Sequence, residues 1–94
     1  MRLTTFFSYI RFEKRFSGHT IKAYESDLTQ FKNFINATYE VKTDEDIRHT
    51  HIRAWIVDLL EQKVTTRSIN RKLSTLKSYF QFLVKRTVLT RDPM

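Results

Sequence analysis

From Gln62 to Arg91 the chain carries eight basic side chains, Lys63, Arg67, Arg71, Lys72, Lys77, Lys85, Arg86 and Arg91, and no carboxylate. The rest of the chain holds nine Lys and Arg against ten Asp and Glu, so the formal net charge of +7 resides in the last third. Like charge packed into one region works against a compact fold, and its natural counterpart is a polyanion. Short hydroxyls, Ser68, Ser74, Thr75 and Ser78, alternate with these bases. Arg reaches phosphates or guanine edges bidentately, while Ser and Thr let the backbone approach closely and donate to phosphate oxygens.

A helix is needed to give these side chains a common direction. Thr65 or Thr66 opens one that runs to about Arg86, with an apolar stripe of Ile69, Leu73, Leu76, Phe80, Leu83 and Val84. At 100° per residue the six fall within an arc of about 100°. With Ile69 at the origin, Ser74, Arg67, Ser78, Lys85 and Arg71 lie at about 140–200°, opposite the stripe, and Thr75 at about 240°. A solvated helix face ordinarily mixes Glu with Lys, because such pairs help the helix. This face omits acids. Contact with DNA or RNA is one reading, and a solvated basic face that happens to lack acids is the other.

Three further helices complete the frame. Leu3, Phe6, Phe7 and Ile10 give a first helix over about residues 2–15, broken at Ser17-Gly18. Ser17 is a candidate N-cap for a second helix from about His19 to Ala37, whose stripe is Ile21, Tyr24, Leu28, Phe31 and Ile35, widened by Phe34. Residues 38–49 read as a polar loop with Ile47 turned inward. Thr50 looks like the cap of a third helix that buries Ile52, Trp55, Ile56, Leu59 and Leu60 and ends near Gln62. Lys22, Ser26, Thr29 and Asn33 share the polar side of the second helix, either a second groove-facing surface or a commonplace solvated one. Phe82 departs from the stripe of the fourth helix. It packs on the C-terminal tail through Val88 or Leu89, or it meets a further domain or subunit.

Composition narrows the class. Ninety-four residues make one domain that buries roughly 60–65% of its unfolded surface. One Gly and one Pro leave little material for hairpin turns, and the fold class is all-α, a four-helix bundle. Without Cys there are no disulfides or thiolate metal sites, which suits a reducing cytoplasm. No run approaches the ~18 apolar residues of a membrane helix, and the charged N-terminus lacks the form of a signal peptide. His49 and His51, two apart at a helix start, do not share a face, and one Gly cannot build a phosphate loop. No metal or cofactor is expected.

The same residues resemble the N-terminal, SAM-like core-binding domain of tyrosine recombinases, the Xer-type and phage-integrase family. Ser17, Thr20, Tyr24, Asp27-Leu28 and Phe31 are similar to the family pattern S-x-x-T-x-x-x-Y-x-x-D-L-x-x-F, preceded by Phe6 to Ile10 and followed by Phe34. Ile47, Ile52, Trp55 and Leu59 continue it. Arg67-Ser68-Ile69, Arg71, Leu73-Ser74, Leu76-Lys77, Phe80, Phe82-Leu83 and Asp92-Pro93 complete it. Lys77 stands where many relatives have Arg, which keeps the charge and weakens bidentate contact. Asp92 stands where Asn is common.

The resemblance implies that the second and fourth helices lie in or along the major groove of a recombination core site. The candidate DNA contacts are Thr20, Lys22, Ser26, Arg67, Ser68, Arg71, Lys72, Thr75, Lys77 and Ser78. It also implies a C-shaped clamp on double-stranded DNA, completed by a catalytic domain of the same parent chain, and a tetramer with contacts between neighbouring N-terminal domains. Residues 1–91 would be the core-binding domain and 92–94 the start of a linker to a catalytic domain absent here, in a bacterial, nucleoid-associated protein. Such recombinases cleave with a Tyr nucleophile supported by Arg, Lys and His-x-x-Arg, and no His here precedes an Arg at that spacing. This span is therefore expected not to be an enzyme by itself. A helix-turn-helix regulator and a SAM-like protein-interaction module are the alternatives.

Overall fold

The computed structural model describes residues 1–94. Its elements are α1 (Leu3–Ser8), a π-helical turn (Tyr9–Glu13), α2 (Gly18–Tyr39), a 3-10 turn (Asp44–Asp46), α3 (His49–Glu61) and α4 (Thr66–Lys85). The all-α expectation holds. No helix is long and apolar enough to cross a membrane.

The apolar stripes meet as their spacing requires. α2 is the central element, packed against α1, α3 and α4. Its Leu28 and Phe31 are fully buried, as are Leu76, Phe80 and Leu83 of α4. Phe31 lies 5.2 Å from the Trp55 ring of α3 and 6.5 Å from Phe80. A second group of rings surrounds Phe6 of α1, with Tyr79 and Phe82 each at 5.3 Å and Tyr24 stacked at 6.2 Å. Edge-on and offset aromatic pairs add to area burial because ring edges and faces carry opposite partial charge. Phe82 therefore finds its ring partners in Phe6 of α1 and Tyr9 of the π-helical turn and is 4% exposed, instead of pointing to the polar side of α4.

Both long helices start at hydroxyl caps. Ser17 Oγ accepts from the Thr20 N–H at 3.2 Å, and Thr65 Oγ1 accepts from the Ser68 N–H at 3.2 Å, each satisfying an amide the helix leaves unpaired. α3 starts differently from the expectation. Arg48, not Thr50, is its N-cap residue, and the His51 ring takes the side-chain part by accepting the Arg48 N–H at Nδ1, 2.9 Å away. Leu60, expected inside, is 54% exposed, because α3 buries only Ile52, Trp55 and Leu59.

The helix ends hold the other departure. Gly18 was expected to break the chain after the first helix, yet it is the first residue of α2, with a negative φ. The break falls at Arg15, in the left-handed region at φ 53°. The Phe16 N–H then reaches back to Ile10 O at 3.0 Å, a closure one residue wider than the six-residue one that ends many helices. Ahead of it the expected α-helix gives way to the π turn, whose extra residue changes the helical phase, and Arg11 to Lys14 face solvent. Glu40 (φ 58°), Lys63 (φ 62°) and Thr87 (φ 57°) end α2, α3 and α4 in the same left-handed manner. None is Gly, so each turn carries a steric cost of about 1–2 kcal/mol.

Candidate nucleic-acid interface

α4 presents one solvent-facing strip. Arg67, Asn70, Arg71, Ser74, Lys77, Gln81 and Lys85 are exposed and Ser78 is half-buried, with no acid among them. Arg67, Lys77 and Lys85 belong to none of the six ion pairs in the molecule. Their charge is unneutralised. On α2, Lys22, Ser26, Thr29 and Asn33 are likewise exposed.

Two of the residues expected on this surface do not belong to it. Lys72 and Thr75 are 7% and 1% exposed, because the buried side of α4 spans about 180° rather than the about 100° of its apolar stripe. Polar residues fill the difference, each with a partner. Asp27 of α2, fully buried, accepts from Lys72 Nζ at 3.0 Å and Arg71 Nη2 at 2.8 Å on Oδ1, and from Thr75 Oγ1 at 3.0 Å on Oδ2. Lys72 also donates to Gln30 Oε1 at 2.8 Å. The pairs Gln30–Lys72 and Asp27–Thr75 run in opposite directions along the two helices, so α2 and α4 cross antiparallel.

Further along α4, Tyr79 donates to Asp44 Oδ1 at 2.7 Å and accepts from the Arg2 N–H at 2.8 Å. Arg2 Nη1 closes the group on Asp44 Oδ2 at 2.8 Å, tying the N-terminus to the 3-10 turn. Burial, reinforced by the Asp44 hydrogen bond, raises the Tyr79 phenol well above its ordinary value near 10. No buried side-chain polar atom lacks a partner.

Arg71 stands between the two environments. One guanidinium nitrogen holds Asp27, while the side chain remains 55% exposed. Thr20 and Ser68 are half-buried in the first turns of α2 and α4, their hydroxyls paired with the caps Ser17 and Thr65 at 2.9 and 3.1 Å. Neither first turn contains an acid, so the positive ends of both helix dipoles remain open to an anion. Asn70 and Gln81 were missed in the sequence. They lie on the same strip, and only the tilt of the buried side toward Lys72, Thr75, Tyr79 and Phe82 brings them to its centre.

Two of the three histidines serve the frame. His51 caps α3, and His49 Nδ1 lies 3.2 Å from Pro93 O, holding the C-terminal tail against the start of α3.

The four-helix bundle belongs to the phage integrase N-terminal SAM-like domain family, whose pattern it matches over residues 3–87. Its relatives are tyrosine recombinases. It is 30% identical over 91 residues to tyrosine recombinase XerC of Anoxybacillus flavithermus, covering 97% of this chain and 30% of that protein. It is 31% identical over 91 residues to XerC of Bacillus licheniformis and 33% identical over 91 residues to XerC of Halalkalibacterium halodurans, each at 97% of this chain and 30% of the relative. The chain thus spans about 30% of the length of these relatives. No solved structure matches it.

Proposed function

We propose that this chain is the DNA-binding arm of a site-specific tyrosine recombinase, gripping the double-stranded recombination core site while a catalytic domain of the same parent chain performs strand cleavage. The unneutralised strip of α4 carries this reading. Arg67, Lys77 and Lys85 have no internal partner, and α4 contributes no acid to repel a phosphate backbone. Arg71 offers the outer edge of a guanidinium already anchored by Asp27, and Lys22 and Ser26 extend the surface onto α2. Lys72 and Thr75 set the α2–α4 crossing and act on DNA only through it.

In this role residues 1–91 form the binding domain and residues 92–94 lead toward the catalytic domain. Neighbouring protomers meet through their N-terminal domains in a DNA-bound tetramer, in the bacterial cytoplasm. Catalysis belongs outside this span. Two of the four tyrosines are committed elsewhere: Tyr79 is buried on Asp44, and Tyr24 stacks on Phe6. Membership of the integrase family speaks against a helix-turn-helix regulator or a protein-interaction module.

Fluorescence anisotropy with a labelled duplex tests the proposal. Five phosphate contacts give a slope of about −4.5 in log affinity against log salt, a loss of roughly 500-fold between 50 and 200 mM. Absence of duplex binding at low salt, or binding indifferent to salt, overturns it.

A further inference from the structure

At one end of the strip lies a cleft of about 360 Å³ between α4 and the turn that joins α1 to α2. We propose that it binds an unstacked nucleotide, the base against the half-buried rings of Tyr9 and Phe16 and the phosphate at Lys14 and Lys85. The proposal rests on the DNA-binding reading and adds a site to it.

Three features of the cleft lead to that ligand. Its inner surface is aromatic. Phe82 forms the floor, its ring 4.7 Å from that of Tyr9, and half-buried Phe16 is a wall. Every base has a π-face, so such a surface takes bases irrespective of sequence. Its charged lining groups, Lys14 and Lys85, are both exposed cations outside any ion pair, and no carboxylate lines it. An apolar side chain would fill the aromatic part and leave both cations unmatched, whereas a nucleotide satisfies both. Finally, Ser78 and Gln81 line it with side-chain groups that make no hydrogen bond within the molecule, available to a base edge. The volume falls within the roughly 300–1,000 Å³ of small-molecule sites.

The backbone is shaped to make this cleft. The π turn moves the Lys14 N–H onto Tyr9 O at 3.1 Å, and left-handed Arg15 folds Phe16 back so that its N–H meets Ile10 O. Turns of π type recur at functional sites, and a left-handed Arg is held there only by surrounding contacts. Because Ser78, Gln81 and Lys85 belong to both strip and cleft, a DNA strand tracking α4 passes its mouth. A base inside an intact duplex cannot enter, so the cleft acts on unpaired or distorted DNA.

The test is an NMR titration of the ¹⁵N-labelled chain with thymidine 5′-monophosphate and, separately, with inorganic phosphate at matched ionic strength. Saturable shifts at the amides of Phe16, Gln81 and Phe82 with the nucleotide, and not with phosphate alone, are expected. Phe16→Leu keeps an apolar wall without an aromatic face and weakens nucleotide binding about tenfold. Gln81→Glu, at an exposed position that leaves the fold intact, weakens it by repulsion, and Val57→Ser on α3 leaves it unchanged. Identical responses to nucleotide and phosphate, or none in the cleft, overturn the site. If duplex affinity persists in that case, the DNA-binding reading survives; if duplex affinity is also absent, both fall.

Discussion

The ammonium of Lys72 sits 3.0 Å from Asp27 Oδ1, with the two side chains 8% and 0% exposed, and the pair fastens α4 to α2. A buried ion pair of this kind adds little net stability over apolar packing, but removing one partner strands the other. Asp27→Ala leaves the Lys72 charge with only the Gln30 carbonyl. A loss of about 3–5 kcal/mol is expected in urea unfolding. Lys72→Met keeps the stem packed and leaves Asp27 with Arg71 and Thr75, so the loss is smaller. Equal losses would refute the asymmetry.

Arg67 and Arg71 separate binding from folding. Arg67→Ala removes a cation with no internal partner, so melting changes by no more than about 0.5 kcal/mol. Duplex affinity falls, and the salt slope becomes shallower by about 0.9. Arg71→Ala also forfeits the Asp27 contact, screened by solvent at 55% exposure, and loses at most about 1 kcal/mol of stability alongside affinity. Anisotropy at three salt concentrations, paired with thermal melts, distinguishes them.

Tyr79 confers an alkaline limit. Its phenol is raised in the folded state above the ordinary value near 10, so the folded protein holds this proton more tightly than the unfolded chain. The stabilisation is complete below pH 10 and declines as pH rises beyond it, by up to about 1.4 kcal/mol per unit. Tyr79→Phe costs about 1–3 kcal/mol at neutral pH by depriving Asp44 of a donor, and flattens this decline. Stability curves of the two proteins that stay parallel above pH 10 would contradict the assignment.

The chain also places its glycine where a helix needs none. Gly18 is helical and a Cβ there meets nothing within 4 Å, so Gly18→Ala is expected to stabilise by about 0.4–1 kcal/mol. Thr87, β-branched and at φ 57°, is the opposite case. Thr87→Gly relieves the left-handed strain and raises the melting temperature by a few degrees, corresponding to about 0.5–1 kcal/mol. Calorimetry of each single variant provides the check.

The apolar stripes of α2 and α4 were readable because helical period and burial coincide there. Leu28, Phe31, Leu76 and Phe80 needed only their spacing. The caps Ser17 and Thr65 were readable for a local reason, a hydroxyl three residues ahead of an unpaired amide. The start of α3 was not, because a His ring accepting a backbone proton has no distinctive signature. Nor was the break after the π-helical turn, where left-handed Arg15 stands in for the glycine that such a turn favours. Lys72 and Thr75 looked exposed because polarity was the only guide, and their partner, Asp27, lies 45 and 48 positions away.

Composition and periodicity alone therefore determined a helical domain with its positive charge on the final helix, since both are local properties of the chain. Which of those cations face solvent was decided by the packing of α2 on α4. A carboxylate brought from a distant helix draws one cation into the interior, engages a second by one edge and leaves the rest free, and no local pattern encodes that division.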